Sequence, residues 1–235
     1  FLLRGNHEFV SVNARYGFIM DFVDRFDDET CDILFFKINE VFCWLSVAAI
    51  VGNSYLCVHG GISPSIPTRD HLLSIEKPIL QSRQDRFIHD MVWSDIAVGL
   101  RGTAFNAKRK ASCYFGLDEL ASALYNLECT GIFRGHTVID HGFNVIGGLC
   151  ISLFTATGLS KTKNNDGAIA VLDAQGKVTM RILECNPARV AWIKKLKARD
   201  AECDSYDSDG SDDGVTVDSD GSAVSDDDFG PMLRV

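Results

Sequence analysis

Three apolar stretches in this chain each run into a histidine set beside a glycine or an amide. They are Leu2-Leu3-Arg4-Gly5-Asn6-His7-Glu8, Leu56-Cys57-Val58-His59-Gly60-Gly61 and Ile132-Phe133-Arg134-Gly135-His136. Each stretch reads as a strand that ends on polar, metal-competent side chains, and strand ends are where α/β sheets collect catalytic groups. Three such ends on one sheet edge would offer imidazole and amide donors together. That donor chemistry suits a hard or borderline divalent cation better than a thiolate site does. The paired glycines after His59 are expected to let the backbone turn tightly around something close by.

The rest of the pattern is that of an α/β protein without internal repeats. Residues 9–45 read as mainly helical, with Phe18, Phe22 and Phe26, then Leu34, Ile38 and Phe42, at three- and four-residue spacings. The apolar run 41–51 is too short for the roughly 20 residues that span a bilayer and is read as a buried strand. Strands are expected at 46–51 and 54–58 around a Gly52-Asn53 hairpin turn. Leu117, Leu120, Ala121, Leu124 and Leu127 predict one helical stripe, with Asp118 and Glu119 in its first turn. A strand into a loop is expected over 130–138, then a strand-rich region over 143–157, 168–173 and 177–183. The order suits two packed mixed sheets flanked by helices.

Hydrophobic residues make up 46% of the chain, enough for a packed core. The formal charge of −9 sits in one place: residues 200–228 hold twelve Asp or Glu and no Lys or Arg. Residues 1–199 are close to neutral, so no basic stripe points to nucleic acid. The eight cysteines, at 31, 43, 57, 113, 129, 150, 185 and 203, show no paired spacing. Several lie in apolar segments as small hydrophobes, which favours a reducing cytoplasmic or nuclear setting. Residues 186–199 form a short basic extension of helical character. From 200 to 235 the Asp, Ser and Gly composition cannot bury enough apolar area to offset ordering, so a disordered tail is expected. The chain has no initiator Met, and Phe1-Leu2-Leu3 reads as the end of a core strand, so it is expected to enter partway through a catalytic domain reaching to about 185.

The motifs Arg4-Gly5-Asn6-His7-Glu8, Val58-His59-Gly60-Gly61-Ile62-Ser63-Pro64 and Arg134-Gly135-His136 occur in this order, with Tyr16-Gly17-Phe18 and Trp93-Ser94-Asp95 between them. So arranged, they resemble the phosphoprotein phosphatase (PPP) family, in its serine/threonine-specific type 1, type 2A and calcineurin-like branch. The resemblance runs from Phe1 to about Leu183 and implies a metallophosphoesterase sandwich that hydrolyses phosphoserine and phosphothreonine in proteins. It implies a centre of two divalent ions, manganese or an iron and zinc pair, with Asn6, His59 and His136 as ligands of one of them. It makes His7 the general acid for the leaving alkoxide. Arg109 becomes a bidentate clamp on the phosphate, with Asn6 also touching it. Arg4, Glu8, Asp95 and Arg134 fall in the matching motifs as supports for these groups. Phosphoprotein substrates and regulatory subunits are the partners it implies, without nucleic acid or membrane.

The chain departs from that pattern in informative ways. The family's two Asp-containing segments lie ahead of the first motif and carry the other metal's ligands and the partner of the general acid. Neither is in this sequence, so one metal, weakly held, and little activity of this stretch alone are expected. Lys110 stands where many relatives have glycine, and Ile96 stands where proline is usual. Leu159 replaces an aromatic residue beside the phosphate and Ser160 a reactive cysteine, so altered inhibitor sensitivity is expected. In the tail, Ser225 before three aspartates is a candidate site for an acidophilic kinase. The tail has two readings, a solubilising appendage or a polyanion that visits a cationic site. A pseudophosphatase scaffold and a dinucleotide polyphosphate hydrolase are the alternatives to the phosphatase reading.

Overall fold

A computed structural model describes residues 1–65, 68–159, 164–188, 190, 191 and 195, with only the backbone of Gln84. The chain opens with Leu3 in a single parallel bridge to Ser46, then makes a 3-10 turn, Asn6–Glu8. Helices α1 (Val10–Asn13), α2 (Met20–Val23) and α3 (Asp28–Cys43) follow. Asp27 caps α3 by accepting a hydrogen bond from the Thr30 amide at 3.0 Å, and Asp28 and Glu29 place negative charge where the helix dipole is positive.

The face that α3 buries is Cys31, Phe35, Asn39 and Cys43. Leu34 and Ile38, expected as the stripe, only flank it. The reason is a polar pair. Asn39 sits in the core because its amide oxygen accepts from Asn13 Nδ2 at 2.7 Å while its own Nδ2 donates to the Phe35 carbonyl at 2.9 Å. A buried amide so satisfied is tolerated, but it interrupts the apolar pattern. Phe18 and Phe22 meet edge to face in the same cluster, whereas Phe26 is exposed.

The run 41–51 is not one buried strand. It is divided between the last turn of α3, a bend at Trp44, and β1 (Ala48–Val51), an edge strand that stays partly exposed. β2 (Tyr55–Val58) returns antiparallel, Ala48 opposite Val58. Gly52 and Asn53 both take positive φ at the turn, +60° and +54°, as a tight hairpin with right-handed twist requires.

After α4 (Arg69–Leu73) and α5 (Arg86–Trp93) comes a small sheet that local pattern does not announce. It comprises β3 (Asp95–Ile96), β4 (Thr103–Phe105) and β5 (Cys113–Phe115), in the order β3-β5-β4. Strands of two or three residues carry no periodicity to read. Next, α6 (Leu117–Asn126) buries Leu120, Ala123 and Leu124, and Ala121 faces solvent instead of the core. Ala123 lies on the Leu120–Leu127 side of the helix, three and four residues from each, and Ala121 does not.

β6 (Gly131–Arg134), β7 (Phe143–Ile146) and β8 (Cys150–Leu153) complete a five-stranded mixed sheet in the order β1-β2-β6-β8-β7. Its three central strands are parallel and its two outer ones antiparallel. The region 143–157 therefore resolves into the β7–β8 hairpin and a following loop. β9 (Gly167–Leu172) and β10 (Val178–Leu183) form a separate antiparallel hairpin, joined to the chain after β8 by the Ala168 amide donating to Phe154 O at 2.9 Å. The described sheets are thus three. The core between the five-stranded sheet, α5 and α6 is sealed by Val92, Phe115, Leu120, Ala123, Leu127 and Ile132. The tail and most of the basic extension lie outside the described residues. Among those described, no helix is long and apolar enough to cross a membrane.

The glycines after His59 serve close packing. Gly60 and Gly61 donate to the Met91 carbonyl at 2.8 and 3.3 Å and so close the C-terminal end of α5. A Cβ on Gly61 would lie 2.2 Å from the Phe115 ring and 2.8 Å from Ser94 Oγ. We expect Gly61→Ala to lower the unfolding free energy by about 3 kcal/mol, the upper part of the range for overpacking a rigid core. Urea unfolding measures this, and a loss below about 1 kcal/mol would show that the ring yields.

Candidate active site

The parallel pairing of β2 with β6, Cys57 opposite Phe133, brings the ends of two strands distant in sequence to the same edge. The Gly135 amide donates to the His59 carbonyl at 2.9 Å, which fixes the two exits against each other. As a result His59 Nε2 stands 3.1 Å from His136 Nδ1. One cation with metal–nitrogen bonds of about 2.0–2.1 Å can touch both. His136 holds a left-handed backbone, φ +63°. This conformation costs a non-glycine residue of order 1 kcal/mol and is retained mostly where surroundings or function demand it.

Asn6 comes to the same place at the start of the 3-10 turn, where the expected strand is reduced to the single bridge of Leu3 to Ser46. Gly5 packs on the His59 ring so closely that a Cβ there would be 2.9 Å from Nδ1, and Asn6 beside it is buried. Among the described residues its amide oxygen has no hydrogen-bond partner, and neither does His136 Nε2. A buried acceptor left unpaired costs about 1–3 kcal/mol, and a bound cation removes that cost at Asn6. Both imidazoles are held neutral, as metal ligands must be. Burial first, then Arg134, His7 and Arg109, pushes His59 down to about 4. Burial first, then His59 and Arg109, pushes His136 down to about 3. These donors therefore fit a divalent ion. No group of three or more His, Cys, Asp or Glu joins there among the described residues, so the set is two imidazoles and one amide.

Asp95, at the start of β3, organises the other side. Its Oδ2 accepts from Arg109 Nε at 2.9 Å and Asn106 Nδ2 at 3.0 Å; its Oδ1 accepts from Arg134 at 2.8 Å and Thr137 Oγ1 at 3.0 Å. Burial pushes this carboxyl up, but Arg109, Arg134 and Asn106 outweigh it and hold it well below the usual range. Arg109 also donates to the His136 carbonyl at 2.7 Å. Its guanidinium is thus pinned on one side while it lines a cleft with Asn6 and His7. Arg134 is buried and ties Asp95 to the Gly60 carbonyl and Thr137.

His7 is exposed at the mouth of that cleft and leans on Tyr16, ring centroids 4.8 Å apart. Its partial burial lowers its pKa, with Glu8 opposing and Arg109 assisting. Among the described residues no carboxylate hydrogen-bonds its ring. Arg4 is buried, with its guanidinium 3.7 Å over Phe9 and donating to the Glu8 and Ile79 carbonyls. Glu8 in turn accepts from the Gly5 amide at 2.7 Å, so this pair shapes the turn that presents Asn6. Lys110 has φ +54°, the conformation glycine adopts freely. Ile96 pairs with Phe115. Leu159 is exposed and lies outside the cleft lining. Ser160 and Ser225 lie outside the described residues.

Asn106 and Thr137 were invisible to sequence reasoning, because their roles are contacts with Asp95 from 11 and 42 residues away. Trp93 stands edge-on to His136 at 5.6 Å. Its signal was present in Trp93-Ser94-Asp95, but its contact was not.

Residues 1–140 match the calcineurin-like phosphoesterase family. The chain belongs to that family. As a calcineurin-like phosphoesterase it shares a fold that holds divalent metal ions. It is 32% identical over 213 residues to serine/threonine-protein phosphatase BSL2 of Arabidopsis thaliana, an alignment covering 84% of this chain and 21% of that protein. It is also 32% identical over 194 residues to serine/threonine-protein phosphatase C23G10.1 of Caenorhabditis elegans, covering 82% and 42%. This calcineurin-like phosphoesterase chain thus spans less than half the length of either relative. In fold it is similar to a Saccharomyces cerevisiae protein serine/threonine phosphatase described as similar to human phosphatase PP5, with a TM-score of 0.67 and 24% identity over 79% of this chain and 60% of that one.

Proposed function

We propose that this chain is part of an enzyme that hydrolyses phosphoserine and phosphothreonine in proteins. The observation that carries the reading is the meeting of two strand ends and a 3-10 turn: His59 Nε2 and His136 Nδ1 stand 3.1 Å apart, Gly5 packs on the His59 ring, and the buried oxygen of Asn6 next to it has no hydrogen-bond partner among the described residues. Asn6, His59 and His136 would hold one divalent ion of the centre, manganese or iron and zinc. When bound, the metal centre supplies an acidified water and positive charge toward the phosphate. Arg109, held by Asp95 and the His136 carbonyl, orients the phosphate oxygens, leaving one terminal nitrogen directed to no partner among the described residues. His7 gives its proton to the serine or threonine oxygen as the P–O bond breaks. A phosphate dianion in the cleft favours the charged imidazolium that this step needs.

The relatives' names, serine/threonine-protein phosphatases, support the substrate class. Phosphoproteins are the substrates, and regulatory subunits are the partners that such an enzyme uses for targeting. Because the donors among the described residues number three and none is a carboxylate, this chain alone holds one metal weakly and turns over slowly or not at all. The same small donor set is what favours a scaffold as the second reading.

The test is hydrolysis by the longer protein, with added manganese, of a phosphopeptide against a dinucleotide polyphosphate. Preferential release of phosphate from the peptide is expected, and His7→Asn should lower kcat about 10²–10⁴-fold, the contribution of a positioned general acid. Preferential cleavage of the dinucleotide would overturn the reading.

A further inference from the structure

We propose that this site is built for phosphorylated peptides whose neighbouring residues are acidic, an inference that rests on the phosphopeptide reading above. The cleft that begins at Asn6, His7 and Arg109 has a volume of about 520 Å³, and its wall continues through Arg15, Arg83, Lys108 and Lys110. Among the described residues no Asp or Glu lines it. These four cations are exposed and make no ion pair among the described residues. Elsewhere cations do find acids: Lys37 pairs with Glu40, Arg69 with Glu128 and Arg86 with Asp90.

The wall is assembled from three separate parts of the chain. Arg15 follows α1, Arg83 lies in the 3-10 turn Ser82–Gln84, and Lys108 and Lys110 flank Arg109 on the loop between β4 and β5. Residues 1–199 as a whole are close to neutral, so this gathering of one sign is local. Like charges around one concave surface raise the local concentration of anions and repel cations. A phosphoryl group engaged by Arg109 would leave the flanking peptide residues against Arg15, Arg83, Lys108 and Lys110. Aspartates or glutamates there gain charge pairs, and lysines or arginines meet repulsion. Either effect alone discriminates between the two, and here they add.

The probes are a fluorescent phosphoserine peptide with aspartates on both sides and the same peptide with lysines in their place, titrated against the whole chain by anisotropy. The readout is the ratio of the two affinities. The acidic tail, if it competes in cis, weakens both peptides by the same factor and leaves the ratio intact. Binding of the acidic peptide is expected to be on the order of tenfold tighter or more, several exposed charge pairs acting together. The preference should shrink as salt rises from 50 to 500 mM and fall to within about twofold in the double variant Arg83→Glu, Lys108→Glu. A ratio near one in the unaltered chain, or a ratio unchanged by the double variant, would overturn the proposal. Because the measurement needs no turnover, a preserved ratio in this chain while the longer protein with manganese leaves the phosphopeptide uncleaved would sink only the hydrolytic reading. A lost ratio with hydrolysis intact would sink only this one.

Discussion

Asp95→Ala is expected to lower the unfolding free energy by about 3–5 kcal/mol, the cost of leaving a buried ionic partner uncompensated. Asp95 is 6% exposed and Arg134 3%, so the guanidinium left behind has no water to replace the carboxylate. Arg109 loses its Nε acceptor at the same time, and Asn106 and Thr137 each lose one bond. The effect should therefore exceed that of any exposed pair in the molecule, such as Lys37 with Glu40. Urea unfolding at neutral pH measures it, and a loss below 1 kcal/mol would mean that the four donors find other acceptors.

The same substitution has a pH signature. The Asp95 carboxyl is held below its ordinary value in the folded chain, so the unfolded state binds its proton first. Its stabilisation is complete above the unfolded carboxylate pKa of about 3.9 and is lost as pH falls below that value toward the depressed folded one. Between about pH 4 and pH 2 the unaltered chain should lose stability more steeply than Asp95→Ala, and the two curves should converge. Parallel curves over that interval would show that the carboxylate is not held by the two arginines.

His59→Ala is expected to weaken binding of manganese to this chain more than about a hundredfold, beyond the 10–100-fold typical of residues that only support a ligand. The argument is geometric. His59 supplies one of the two nitrogens that stand 3.1 Å apart, and its removal leaves Asn6 and His136 without the third neutral donor. His141→Ala removes an imidazole whose side chain is 89% exposed and stands 3.9 Å from Asp166, outside the set of Asn6, His59 and His136, and should change affinity less than about twofold. Calorimetry or the spin resonance of free manganese reads both variants. Equal affinities for the unaltered chain and His59→Ala would place the metal elsewhere.

What could be read along the chain was whatever depended on neighbours in sequence. The strand ends before His59 and His136, the Gly52-Asn53 turn and the acidic first turn of α6 all follow from local propensity, and each is found where it was expected, whereas the strand expected before Asn6 is reduced to the single Leu3–Ser46 bridge. Errors arose where burial overruled the pattern. Asn39 took a core position because Asn13 satisfied it, which moved the buried face of α3 off Leu34 and Ile38. The run 41–51 was apolar throughout apart from Ser46, yet α3 claimed its first part and an edge strand its last.

The chemistry of the candidate site was therefore determined by sequence alone: two imidazoles, an amide and an arginine in fixed motifs, with neutral donors suited to a cation. Where those groups stand was decided only by the tertiary structure. Parallel pairing of β2 with β6 sets His59 against His136 across 77 residues, and Asp95 draws Asn106, Arg109, Arg134 and Thr137 onto one carboxylate. Arg15, Arg83, Lys108 and Lys110 become a single cationic wall only when three distant segments fold beside one cleft. Charges far apart in sequence have no local signature, because Coulomb interaction depends on distance in space and on the solvent between the groups.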